Sequence, residues 1–165
     1  MSHARNDLCP AALATLLLVC GCGYSQESLF PESRRFVAVD IFGNDTFYRE
    51  LEFPLTAQVV HELQSRAGIS VVDAEHADVV LKGRITRVEQ KVLSEDERDR
   101  PREVGATTEV QVVLVDRATG RVIKTAIVSD RAEYVTARGE TLLTAQEESF
   151  VDLARRIVYV LEGGF

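Results

Sequence analysis

Two periodicities alternate along the chain from residue 35 onward. "RFVAVDIF" at 35–42 alternates with period two. Val37, Val39 and Ile41 are all β-branched and are predicted to form the buried face of a strand, with Phe36, Ala38, Asp40 and Phe42 opposite. Gly43-Asn44-Asp45-Thr46 supplies turn and cap chemistry. A helix is predicted over 54–67, after an irregular turn at 47–53. Pro54 is tolerated in its first turn, Leu55, Val59, Val60 and Leu63 share a face, and Gly68 stops it. A brief apolar run at 69–72, which has the length of a short strand, and a polar connection at 73–77 lead to a long strand over 78–92. There Val79, Leu81 and Ile85 share a face around Gly83, and the pattern then moves to Val88 and Val92, predicting a bulge near Thr86 and Arg87. A charged loop is expected over 93–103. The next strand, 104–116, sets Val110, Val112 and Leu114 against Gln111, Val113 and Val115. "RATG" at 117–120 reads as a hairpin turn, and the strand at 121–134 carries Ile123 and Ile127 on one side. The last helix is predicted over 142–161, with Phe150, Leu153, Ala154, Ile157 and Leu161 as its apolar stripe. Leu153 and Ile157 should resist truncation, and Arg155 and Arg156 should tolerate it. Thr144 and Glu147 have capping-box spacing, which would start the regular helix slightly later.

The order β-α-β-β-β-α predicts an α+β fold. It is a single two-layer domain with an antiparallel-rich sheet of about four strands and both helices on one face. No internal repeat is visible.

The N-terminus follows neither period. "AALATLLLVC" at 11–20 is about ten apolar residues, where a membrane span needs roughly 20. It has the length of a signal-peptide core. The cysteines stand at 9, 20 and 22, and none lies later. A structural zinc site wants four ligands, so the Cys-x-Cys pair does not suffice for a metal. Bacterial lipoprotein signals resemble Leu or Val, a variable residue, a small residue, then Cys. Val19-Cys20-Gly21-Cys22 matches with Cys22 as the modified residue, whereas Cys20 would have Val19 where a small residue belongs. The reading is a lipoprotein signal peptide over 1–21, a lipidated N-terminus and tether over 22–34, and a folded domain over 35–165. Gly23 in place of Asp after the acylated cysteine favours the outer membrane. The twelve residues 23–34 reach at most about 40 Å.

The formal net charge of −7 argues against a nucleic-acid binder, because neutralising phosphates needs a basic face. The chain has no phosphate-binding glycine loop, no Gly-x-Ser-x-Gly and no His-Glu-x-x-His. His61 falls on a helix and His76 in a polar loop, so neither suggests catalysis. "DAEHAD" at 73–78 lacks the spacing of an EF-hand. No enzyme activity, cofactor or metal is expected. "LSEDERDRPRE" at 93–103 is either a solvated hairpin tip or a contact site. In the second case Arg98, Arg100 and Arg102 are the candidates for an anionic headgroup or a partner, since guanidinium forks suit phosphate.

Several segments together resemble the LPS-assembly lipoprotein family LptE. They are the "CGY" at 22–24, "RFVAVDIFGNDTF" as a first strand and turn, "LTAQVVHELQSRAGISVVDAEHADVVLKGRI" as helix and following strands, and "VQVVLVDRATGRVI" as a hairpin. The chain departs from the family in "YSQES" after the cysteine, which lacks a basic stretch, and in "GND" for an "ENR"-like turn. The resemblance implies a non-enzymatic outer-membrane lipoprotein. Such a protein plugs and helps assemble an LptD-like β-barrel, binds lipopolysaccharide and takes part in its transport to the cell surface. The domain would then lie on the periplasmic side or within a barrel lumen. Only the lipidation site, Cys22, carries over by position. The alternative is an envelope scaffold lipoprotein, such as an activator of a peptidoglycan synthase.

Overall fold

The structure is a computed structural model and describes residues 34–66 and 68–163. Its elements are β1 (Phe36–Val39), β2 (Gly43–Asn44), α1 (Glu52–Gln64), β3 (Ser70–Val71), β4 (Val79–Glu95), β5 (Pro101–Asp116), β6 (Val122–Val135), a 3-10 turn (Thr136–Arg138) and α2 (Leu142–Leu161). One six-stranded sheet runs β3-β1-β4-β5-β6, with β2 pairing β4. Of the three long strands, β5 pairs antiparallel with β4 and with β6, whereas β1 pairs with β3 and β4, and β2 with β4, in parallel. The α+β class stands. The two extra strands are two-residue pieces: β3 falls within the brief apolar run at 69–72, and β2, beside β4, lies in the stretch read as a turn.

One face of the sheet meets both helices. Val37, Val79, Leu81, Ile85, Val110, Val112, Leu114 and Val128 pack in one cluster with Leu55, Val59 and Leu63 of α1 and Phe150, Leu153, Ile157 and Leu161 of α2. The predicted stripe of α2 is therefore buried, and so is that of α1 except for Val60, which is half-buried and outside the cluster. Gly83 has a packing reason: the ring of Phe42 lies 2.4 Å from where a Cβ would stand.

That ring marks the first correction. β1 ends at Val39, so Ile41 turns out to solvent and Phe42 turns into the core. The Phe42 amide then donates to Thr56 Oγ1 of α1 at 3.0 Å. A second correction lies in β6. The ladder shifts between Leu114 and Val115, and the shift falls opposite Ile123. Ile123 packs on the core while Ile127 is exposed, so the two do not share a face. The bulge predicted near Thr86 is present between Ile85 and Arg87.

The helix ends also differ. α1 begins at Glu52, two residues before Pro54, and ends at Gln64. Pro54 still sits where an amide would lack an intrahelical acceptor; Ala67 lies outside the described residues. α2 spans the predicted range, but Thr141 caps it with Thr144 as the reciprocal partner, and Glu147 takes no part.

A smaller apolar cluster, Val104, Ala106, Tyr134 and Ala145, lies under the first turn of α2. Buried polar residues separate it from the main core. Thr108 on β5 faces Asp130 on β6, and Gln146 and Ser149 come from α2. Ser149 Oγ donates to Asp130 Oδ2 at 2.9 Å, and Arg156 Nη2 lies 2.9 Å from Asp130 Oδ1. Arg156 is thus tied to a nearly buried carboxylate, contrary to its expected tolerance of truncation. Arg155 pairs only with exposed Asp152.

Candidate functional site

The charged stretch 93–103 is mostly strand. β4 runs to Glu95 and β5 starts at Pro101, because the ladder continues through Val92 with Val104, Ser94 with Glu103 and Glu95 with Pro101. Only residues 96–100 form the turn. Asp96 organises it. Its Oδ1 accepts from the amides of Arg98 at 2.8 Å and Arg100 at 3.0 Å, and its Oδ2 accepts from Arg100 Nε at 2.8 Å. Its own amide donates to the Arg100 carbonyl. The side-chain bond from Arg100, then the two backbone bonds, hold the Asp96 carboxyl below the usual carboxylate range. Asp99 takes a left-handed φ of 57°, closing the turn.

This arrangement sorts the three arginines. Arg100 is committed to Asp96, with Nη2 at 2.6 Å from Oδ2. Arg98 and Arg102 are exposed and make no ion pair among the described residues. The turn is joined to the end of β6 by Thr136, whose Oγ1 donates to the Pro101 carbonyl at 2.5 Å. Glu95, Asp96, Glu97, Arg98, Arg100, Arg102 and Ala137 line an open cleft of about 460 Å³. Three acids there match three arginines. The remaining predicted site residue, Cys22, lies outside the described residues.

His61 and His76 are both exposed, and the His76 amide simply closes a turn on the Asp73 carbonyl. Among the described residues no cluster of His, Cys, Asp or Glu could hold a metal ion. No helix among them is long and apolar enough to cross a membrane.

Periodicity misses two polar features. Tyr134 hydroxyl donates to Gln90 Oε1 at 2.8 Å, and Gln90 Nε2 donates to Tyr48 hydroxyl at 2.6 Å. This relay joins β6 and β4 to the loop before α1. Burial, and secondarily Tyr48, raises the Tyr134 hydroxyl above its ordinary value. The second feature is Asn44, whose amide nitrogen donates to the Tyr48 carbonyl at 2.6 Å and to Glu52 Oε2 at 3.0 Å. The Asn-Asp-Thr triplet was its only signal.

Comparison with known proteins decides the family. The family model LptE, described as lipopolysaccharide-assembly, matches residues 35–161. The chain belongs to the LptE family. That match spans the whole sheet and both helices. A comparison with curated proteins gave no match. Solved structures share the fold at low identity. The protein CT253 of Chlamydia trachomatis superposes with a TM-score of 0.57 at 15% identity, covering 79% of this chain and 96% of that one. The rare lipoprotein B of Shewanella oneidensis gives 0.50 at 18% identity, covering 76% and 92%. PelC of Paraburkholderia phytofirmans, a dodecamer, gives 0.57 at 15%, covering 79% and 90%. The LptE fold is thus similar to proteins of different names, and fold alone does not choose among their roles.

Proposed function

We propose that this LptE-family chain is an outer-membrane lipoprotein, acylated at Cys22, that works as a non-enzymatic partner and plug of a lipopolysaccharide-translocating β-barrel of the LptD type. The observation that carries the reading is the family match over residues 35–161, which takes in every described strand and helix. The physical character of the domain supports it. A plug must be rigid, and one core cluster ties both helices to the sheet. It must also be wet outside, because a barrel lumen is polar. The outward positions of β4 and β6 carry ion pairs, Lys82 with Asp40, Arg84 with Asp45 and Arg131 with Glu133.

Lipopolysaccharide headgroups are anionic, and the far hairpin turn offers Arg98 and Arg102 for them, with Arg100 shaping the turn. Replacing Arg98 and Arg102 with Ala should weaken lipopolysaccharide binding and flatten its salt dependence while the fold stays intact. Arg100→Ala should instead loosen the turn.

The test is purification of the full chain from its own envelope in detergent. The expected result is a large β-barrel recovered in constant proportion. Recovery of a peptidoglycan synthase instead would replace this reading with that of an envelope scaffold.

A further inference from the structure

The loop before α1 presents an aromatic ring in an unusual way. Phe47 is fully exposed. A bare Phe at a loop tip is disfavoured in water, and flexible loops often fold such a ring back. This loop is instead held by interactions on both sides of Phe47. Asn44 Oδ1 accepts from the Thr46 amide at 3.0 Å and its hydroxyl at 2.7 Å. Asn44 Nδ2 reaches across to the Tyr48 carbonyl and Glu52. Asp45 is fixed by its amide to the Ile85 carbonyl at 3.0 Å and by Arg84 Nη1 at 2.6 Å. Tyr48 is fixed through its hydroxyl by Gln90. The ring is therefore displayed on a preorganised support.

Two further exposed apolar side chains flank the loop in the sequence, Ile41 before it and Phe53 after it on the first turn of α1. Beside Phe47 the loop forms a depression of about 400 Å³ lined by Asn44, Thr46, Tyr48, Arg49 and Glu52 among others. Neighbouring charge favours a protein over a bilayer. Asp45 is neutralised by Arg84, which leaves Arg49 against Glu50 and Glu52. The backbone bond at Glu52 itself, then the Asn44 hydrogen bond, lower the Glu52 carboxyl below its ordinary value. That local excess of acid repels anionic headgroups. The loop also follows the far end of β1 from Arg34, where the N-terminal segment joins.

We infer that Phe47 is an anchor that inserts into an apolar pocket on the wall of the barrel partner. This rests on the reading of that partner given above. Interfaces concentrate their energy in a few rigid aromatic anchors surrounded by polar contacts, and an immobile donor loses little entropy on binding. Because Phe47 makes no core contact, its removal separates binding from folding.

The experiment uses the full chain in its own envelope, with p-benzoylphenylalanine in place of Phe47 in one strain and of Arg98 in another, alongside Phe47→Ala and Phe47→Tyr. The expected result is a light-dependent adduct of the barrel at position 47. Phe47→Ala should also cut the barrel recovered by at least about tenfold with an unchanged unfolding midpoint, and Phe47→Tyr should retain it. Normal recovery with Phe47→Ala would overturn the inference, as would adducts at 47 confined to lipid or to a second copy of this chain. If the barrel is then captured from position 98 or co-purifies with the unaltered chain, only the anchor is lost. If it appears in neither, the barrel reading falls as well, and the anchor with it.

Discussion

Truncating Arg156 to Ala tests the polar layer between the two apolar clusters. Asp130 is only 9% exposed, and its two oxygens are served by Arg156 Nη2 and Ser149 Oγ, each at 2.9 Å. Arg156 Nη1 also donates to the Ser129 carbonyl at 3.0 Å, on the edge strand β6. Removing the guanidinium leaves Asp130 with one protein partner. Breaking a fully buried pair costs about 3–5 kcal/mol, and an exposed pair about 0–1 kcal/mol. The Arg156 side chain is 57% exposed, so water can replace it at one oxygen. The expected loss is therefore intermediate, about 1–2 kcal/mol. For a domain of this size that lowers the melting temperature by roughly 3–6 °C. Arg155→Ala is the control: it breaks an exposed pair with Asp152 and should cost less than about 0.5 kcal/mol. Denaturant unfolding of both variants, with Asp130→Ala as the second arm of a double-mutant cycle, gives the comparison. Equal losses at 155 and 156, or an Arg156 effect that survives unchanged in the Asp130→Ala background, would refute the role of this layer.

Leu153→Ala and Ile157→Ala, each fully buried in the main cluster, should cost about 2–5 kcal/mol by equilibrium unfolding; losses below 1 kcal/mol would mean that α2 does not pack as described. The Asp96 carboxyl is lowered by Arg100 and by the amides of the turn, so its contribution to turn order is full above the ordinary carboxylate value of about 4. That contribution is lost as pH falls through the lowered folded value. Amide exchange at Arg98 and Arg100 should therefore stay protected at neutral pH and open in strong acid, and protection indifferent to acid would contradict it. At the N-terminus, Cys22→Ala should leave an unprocessed precursor by intact mass, and Cys20→Ala should be processed normally; the reverse pattern would move the acylated residue.

Where side chains alternate against one core, the sequence was readable. Val79, Leu81 and Ile85 and the set Val110, Val112 and Leu114 repeat every second residue because one face is buried, and α2 repeats Phe150, Leu153, Ile157 and Leu161 for the same reason. The misreadings fall where backbone irregularity changes the phase. β1 stops after Val39, which exchanges Ile41 for Phe42, and the shift opposite Ile123 reverses the facing of Ile127. The hairpin tip misled for another reason. Charged residues suit an exposed strand extension as well as a loop, and composition does not register the ladder that pairs Ser94 with Glu103. Of the site, the three arginines were visible but their inequality was not. Asp96 selects Arg100 by position in the turn, and Asn44 supports Phe47 through side-chain bonds that span four and eight residues.

The central claim is partnership with a lipopolysaccharide-delivering barrel, and depletion of this chain in the cell that makes it tests that most directly. Correctly assembled barrel and lipopolysaccharide at the cell surface, measured in the same cells as the protein runs down, should fall together and should return when the full chain is restored. Undiminished surface lipopolysaccharide with a normal barrel would contradict the account.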